Sequence, residues 1–178
     1  MTLPREQDRA VLFAFWRILV LSVISSGLYL FYWVAVTWKH LNPEAKDDES
    51  VKQALFLLVP VYGLFRLHRI FSGIRSRVRS QDIDSPVASF SVALIVASYA
   101  AAWVGSILTE KSLALALASW TANGLLCAAA IWSVQLPLNR LWLAEHEDVT
   151  GAAYSWVEVP LVLYGLWLWL IPVLPSGY

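Results

Sequence analysis

Three long apolar runs without a charged residue limit what this chain can fold into more than any other feature. Residues 18–36, 87–108 and 113–136 contain no Asp, Glu, Lys or Arg. At a rise of about 1.5 Å per residue, a helix of about 20 residues covers the roughly 30 Å hydrocarbon core of a bilayer. Because a backbone inside lipid has no water to bond, such runs must be helical. The sequence therefore predicts an all-α fold, a polytopic transmembrane helical bundle.

The predicted bundle is one membrane domain of four to five spans with interfacial amphipathic helices. The sequence Ser25-Ser26-Gly27 predicts a bend in the middle of the first span. A link of four residues, 109–112, forces the two long runs beside it into an antiparallel hairpin, and Pro137 is expected to end the second of them. The predicted spans are about 12–36, 54–72, 87–108, 113–136 and 157–175, with a cytoplasmic interfacial segment at 137–156.

Segment 54–72 leaves the number of spans open. It is apolar for only twelve residues, contains Pro60 and then meets Arg66, so it fits a re-entrant or interfacial helix as well as a span. Five spans would place all nine Arg inside and all four Lys outside, and the four-span alternative also places nine basic residues inside. The positive-inside rule therefore does not choose between them. We favour five spans because apolar residues continue beyond Arg66.

Composition excludes several classes of function. The 13 basic and 13 acidic residues cancel, which predicts no nucleic-acid partner. Cys127 is the only cysteine, so an intramolecular disulfide and a cysteine metal cluster are both excluded, and we expect no cofactor. The 10 Trp and 7 Tyr are typical of side chains that anchor helices at the membrane interface.

A polar seam is predicted in the fourth run, where Ser119, Asn123 and Cys127 recur every four residues on one helix face. The seam can serve as a set of interhelical hydrogen bonds or as the lining of a permeation path. Nucleophilic catalysis is not expected, because no His or carboxylate lies at a comparable depth to act as a base. Glu158, before the last apolar run, is interpreted as a carboxylate stabilised by the dipole at a helix start.

A series of arginines follows the uncertain second segment. Such residues next to a hydrophobic helix attract anionic lipid headgroups, but they also set the topology of the chain, and the sequence does not separate the two interpretations. The candidate headgroup contacts are Arg66, Arg69, Arg75, Arg77 and Arg79.

Small residues form a ridge along each long run, which permits the close backbone contact that drives helix association in lipid. The tight 109–112 link allows one ridge to pack inside the hairpin. The ridges consist of Ser89, Ala93, Ala97, Ala101 and Gly105 in one run, and of Ala114, Ala118 and Ala122 in the other.

Three segments resemble a bacterial membrane-protein family known only as domain of unknown function 4234. Residues 27–33, Gly-Leu-Tyr-Leu-Phe-Tyr-Trp preceded by Ser25, are similar to the family's opening motif. Residues 54–70 look like its second element, and 135–140, Gln-Leu-Pro-Leu-Asn-Arg, like its closing element. The resemblance covers about residues 20–145 and implies a small multi-span protein of the bacterial inner membrane without an established activity.

The sequence favours a non-enzymatic structural or accessory protein that acts by helix packing in a homo-oligomer or a larger membrane complex. Two alternatives stay open. One is a small channel or transporter that uses the seam around Asn123, and the other is a protein that binds anionic lipids through the arginine series of 66–79. Its expected partners are membrane lipids and either further copies of itself or other membrane-protein subunits.

Overall fold

The computed structural model describes residues 11–42, 44, 47–109, 111–145, 150–151, 156 and 158–170. Within these residues the fold is helical apart from one parallel pairing of two short strands, which confirms the all-α prediction. The elements are β1 (Val11–Leu12), α1 (Phe15–Ile24), α2 (Tyr29–Leu41), α3 (Asp47–Leu55), α4 (Pro60–Arg79), α5 (Ala88–Leu108), α6 (Leu113–Glu145), β2 (Thr150–Gly151) and α7 (Glu158–Leu170), with a short 3₁₀ helix, Phe56–Leu58, before α4.

Helices α5 and α6 form the predicted antiparallel hairpin. Near its open end the hydroxyls of Ser91 and Ser133 lie 2.7 Å apart. Near the link, Gly105 packs so closely on Trp120 that a Cβ there would lie 2.5 Å from the indole ring. Among the described residues, α5 and α6 are the two helices that are long and apolar enough to cross a membrane. The predicted total of four to five spans is not confirmed.

The predicted first span, 12–36, is not one helix but a hairpin of two antiparallel helices, and this corrects the prediction. Contacts with α6 show the reversal. The backbone just before α1 meets Asn139 at residue 13, and the backbone of α1 meets Gly124 at residue 23. Helix α2 then returns toward the C-terminal end of α6, so that His40 contacts the ring of Trp142. The chain reverses because residues 25–28 make a tight turn rather than the bend within one helix that the sequence predicts.

Segment 54–72 is divided between α3, the 3₁₀ helix and the first part of α4. Near the N-terminal end of α4, Arg66 lies over the ring of Trp38 near the end of α2. Near its C-terminal end, Arg77 bonds Glu145, the last residue of α6. Two residues of α4 that are eleven positions apart thus meet the same end of the bundle, so this part of α4 lies across that end, in the manner of the interfacial alternative. Its buried apolar face consists of Leu67, Ile70, Phe71, Ile74 and Val78.

Two further boundaries differ from the prediction. Pro137 does not end its helix. Helix α6 continues for eight more residues and ends at Glu145. The side chains of Pro137, Leu138 and Trp142 are buried, and this packing outweighs the helix-breaking tendency of proline. The last predicted span, 157–175, is described only over α7, and its final residues lie outside the described part of the chain.

Candidate functional site

Residues 25–28 form the turn at the tip of the α1–α2 hairpin. Helices α6 and α7 both contact the non-helical backbone of this turn or the residue before it. Ser26 and Gly27 have positive φ angles of 48° and 87°, which lets the chain reverse within four residues. The hydroxyl of Ser25 then accepts a bond of 2.9 Å from the N–H of Tyr29, which is one of the backbone donors at the start of α2 that have no helical partner. Such a turn leaves backbone carbonyls without helical partners, and these need other donors when they are buried.

Two of the three seam residues donate to carbonyls of the tip, of which that of Gly27 also accepts from the N–H of Leu30 at 3.1 Å. The amide nitrogen of Asn123 donates to the carbonyl of Ser26 at 2.8 Å, and the thiol of Cys127 donates to the carbonyl of Gly27 at 3.5 Å. Ser119 faces a different neighbour, since its Cβ lies beside Gly105 of α5. The seam predicted from the sequence is therefore divided between two contacts rather than gathered along one path.

Helix α7 closes the tip from the other side. The indole N–H of Trp169 donates to the carbonyl of Ile24 at 3.1 Å. Gly165 packs directly on the backbone at Ile24, and Gly124 of α6 packs on the backbone at Val23, where a Cβ would lie 2.6 Å from the Cα of Val23. These two glycines permit the close approach of the neighbouring helices, and neither was identified from the sequence.

A second polar network holds the base of the hairpin. Trp33 of α2 donates to Gln135 at 2.7 Å, Gln135 donates to Asn139 at 2.6 Å, and Asn139 donates to the carbonyl of Phe13 at 2.9 Å. The network thus joins both arms of the hairpin to α6. Trp33, Gln135 and Asn139 belong to the segments that carry the family resemblance, but no pattern in the sequence indicates that they bond to one another. Farther along α2, where His40 contacts the ring of Trp142, burial and secondarily the charge of Lys39 lower the pKa of His40.

A buried ion pair, not predicted from the sequence, joins α1 to α7. Arg17 and Glu158 form a bond of 2.7 Å, and their side chains are 4% and 5% exposed. The second carboxylate oxygen of Glu158 and the hydroxyl of Tyr29 are also buried and have no hydrogen-bond partner among the described residues. Glu158 does begin a helix, as expected, but a cation 141 residues away, rather than the helix dipole alone, accounts for its burial.

The arginine series is divided by the structure. Arg66, Arg69 and Arg77 line a cavity of about 610 Å³ between the end of α2 and α4, which we call the basic groove. Arg75 is half-buried and Arg79 is exposed, and neither lines the groove.

Most of the small-residue ridge of α5 points away from α6. The side of α5 that is buried carries Ala88, Ser91, Ile95 and Ser98, roughly opposite the ridge. Of the ridge residues in α5 and α6, Gly105 alone is buried; Ala101 and Ala122 are half-buried, and the exposed ones are Ser89, Ala93, Ala97, Ala114 and Ala118.

The arrangement as a whole holds helices together through polar groups. The described residues contain no group of three or more His, Cys, Asp or Glu placed to hold a metal ion.

No protein-family model matches the chain, and comparisons with curated proteins and with solved structures also gave no match. The resemblance to the family of unknown function thus stays a prediction.

Proposed function

We propose that the protein is a non-enzymatic, multi-pass component of the bacterial inner membrane that acts by helix packing, with a second copy of itself as its partner. The observation that carries the helix-packing part of this proposal is the hairpin tip within the chain. Asn123, Cys127 and Trp169 each donate a hydrogen bond to a backbone carbonyl of the tip or of the residue before it. Polar groups that are engaged in this way stabilise a helix contact.

The same observation counts against the channel alternative. A permeation path needs polar groups that face water or an ion, whereas Asn123 and Cys127 face the backbone of the hairpin. We infer that the seam fixes the position of the hairpin. A cytoplasmic α4 belongs to this proposal, because positive residues near the ends of membrane helices favour the cytoplasmic side.

The surface offered to a second copy is the outer face of α5. Ser89, Ala93 and Ala97 are exposed there, and small residues at intervals of four let two helix backbones approach closely in lipid. The test is disulfide cross-linking in native membranes, in a Cys127→Ser background that keeps a donor for Gly27. Ala97→Cys should yield a cross-linked dimer.

Trp103→Cys provides the matched control, because Trp103 is exposed on a different side of α5. It should cross-link weakly or not at all. Equal cross-linking of Ala97→Cys and Trp103→Cys would contradict self-association through this face. So would the absence of cross-linking both in Ala97→Cys and in a second variant on the same face, Ala93→Cys. Ion flux in liposomes that disappears in Asn123→Leu without loss of stability would support the channel alternative instead.

A further inference from the structure

The basic groove has three cationic side chains and few groups to neutralise them. Arg66 donates to Gln53 and lies over Trp38, and Arg77 makes an exposed contact of 3.3 Å with Glu145. Arg69 has no hydrogen bond or ion pair with another described residue that lines the groove, and no carboxylate is among the residues that line it. Arg66 and Arg69 have no ion pair with a described carboxylate, so their guanidinium groups favour an anion in the groove, and their planar fork matches the oxygens of a phosphate.

The sequence of α4 builds one wall of the groove with helical spacing. Arg66, Arg69, Ile70, Gly73, Ile74 and Arg77 follow the pattern i, i+3, i+4, i+7, i+8 and i+11, which places them on one face of the helix. The opposite wall comes from Trp38, Leu41 and Asn42 at the end of α2. The groove therefore combines positive charge with apolar surface, so its ligand should carry both an anionic and an apolar part.

The position of the groove indicates what that ligand is. Asn42 and the neighbouring end of α2 lie level with the end of α6, beyond the apolar run 113–136, where lipid headgroups meet water in a membrane helix of this length. Trp38 on its wall is a side chain that favours this level. A volume of about 610 Å³ is in the range of ligand pockets and exceeds what one inorganic phosphate needs.

We propose that the basic groove binds the phosphate and glycerol of one anionic phospholipid, with Arg69 and Arg66 on the phosphate and Trp38 against the glycerol and upper acyl chain. A zwitterionic choline headgroup is disfavoured, because its cation would face three arginines. This site is independent of the α5 face and goes beyond the proposed function.

Gly73 allows the groove to be filled without a change of charge. A Cβ at this position would meet no other atom within 4 Å, so the side chain of Gly73→Trp would extend into open space in the groove. Ser76→Trp is the matched control, because Ser76 is exposed on α4 but does not line the groove. For charge, Arg69→Gln is compared with Arg79→Gln, which removes an exposed arginine from the same helix outside the groove.

The experiment is native mass spectrometry of the full chain in detergent, titrated with phosphatidylglycerol, phosphatidylcholine or inorganic phosphate. We expect one bound phosphatidylglycerol per chain, no comparable binding of phosphatidylcholine and much weaker binding of phosphate. Arg69→Gln should weaken lipid binding about fivefold, the contribution of one basic residue near a membrane surface. Gly73→Trp should abolish the binding, whereas Arg79→Gln and Ser76→Trp should leave it within twofold.

Three results would overturn the proposal. Equal weakening by Arg69→Gln and Arg79→Gln would indicate diffuse attraction to the helix surface, and equal binding of phosphatidylcholine would remove the role of charge. Inorganic phosphate that binds as tightly as the lipid would show that the groove takes free anions. Unfolding temperatures measured without lipid identify any variant that has lost its fold, and Gly73→Leu then replaces a misfolded Gly73→Trp.

Discussion

Replacement of one member of the Arg17–Glu158 pair should destabilise the protein more than replacement of both. The two side chains are almost completely buried and joined at 2.7 Å, and one oxygen of Glu158 already has no partner among the described residues. Loss of one partner from a buried pair leaves an uncompensated charge and costs about 3–5 kcal/mol, whereas an apolar replacement of both is often neutral or stabilising. We therefore expect Arg17→Met and Glu158→Leu each to lower the free energy of unfolding by about 3–5 kcal/mol, and the double variant to lower it by less than about 2 kcal/mol.

The assay is unfolding by SDS in mixed micelles, followed by tryptophan fluorescence and analysed as a double-mutant cycle. The Arg77–Glu145 pair is the control, because its atoms lie 3.3 Å apart and its side chains are 48% and 26% exposed. Its removal should cost less than about 1 kcal/mol, as for other exposed pairs. If the double variant at Arg17 and Glu158 instead loses the sum of the two single effects, the charges do not neutralise each other and the contact between α1 and α7 is wrong.

Two further predictions concern the hairpin tip. Gly124→Ala should lower the free energy of unfolding by about 1–3 kcal/mol, because its Cβ would meet the backbone at Val23. Gly73→Ala is the control: its Cβ would lie in open space, so the change should leave the free energy of unfolding the same or raise it by up to about 1 kcal/mol. Similar losses of stability in both variants would contradict the close approach of Gly124 to Val23. Asn123→Leu should lower the free energy of unfolding by about 1–2 kcal/mol, because it leaves the carbonyl of Ser26 without its donor. The same unfolding assay measures this loss, and an unchanged stability would show that the hydrogen bond is not formed.

The α5–α6 hairpin could be predicted because local features determine it. The runs 87–108 and 113–136 have no charged residue and are long enough to cross a membrane, where the backbone must be helical. The short link between the two helices then requires them to be antiparallel. The arms of the first hairpin are equally apolar whether the chain continues or reverses at Ser26. The reversal depends on positive φ angles together with Gly124 and Gly165, which are distant in sequence and give no periodic signal.

The candidate sites follow the same distinction. The 3.6-residue period predicted that Asn123 and Cys127 share a face, and the structure places both at the tip. A rule that considers only neighbouring residues explains Glu158 by a helix dipole. Such a rule cannot find a partner 141 residues away, so the pair with Arg17 is not predicted from the sequence.

Helix α6 shows most clearly why tertiary contacts override local rules in this fold. Pro137 removes one backbone donor and on its own would end the helix. The bond from Gln135 to Asn139 spans the proline, and Asn139 then holds Phe13 at the base of the hairpin. A helix that ended at Pro137 would leave that carbonyl without its donor and would remove Trp142 from His40. The residues after the proline are therefore helical because both arms of the hairpin pack against them.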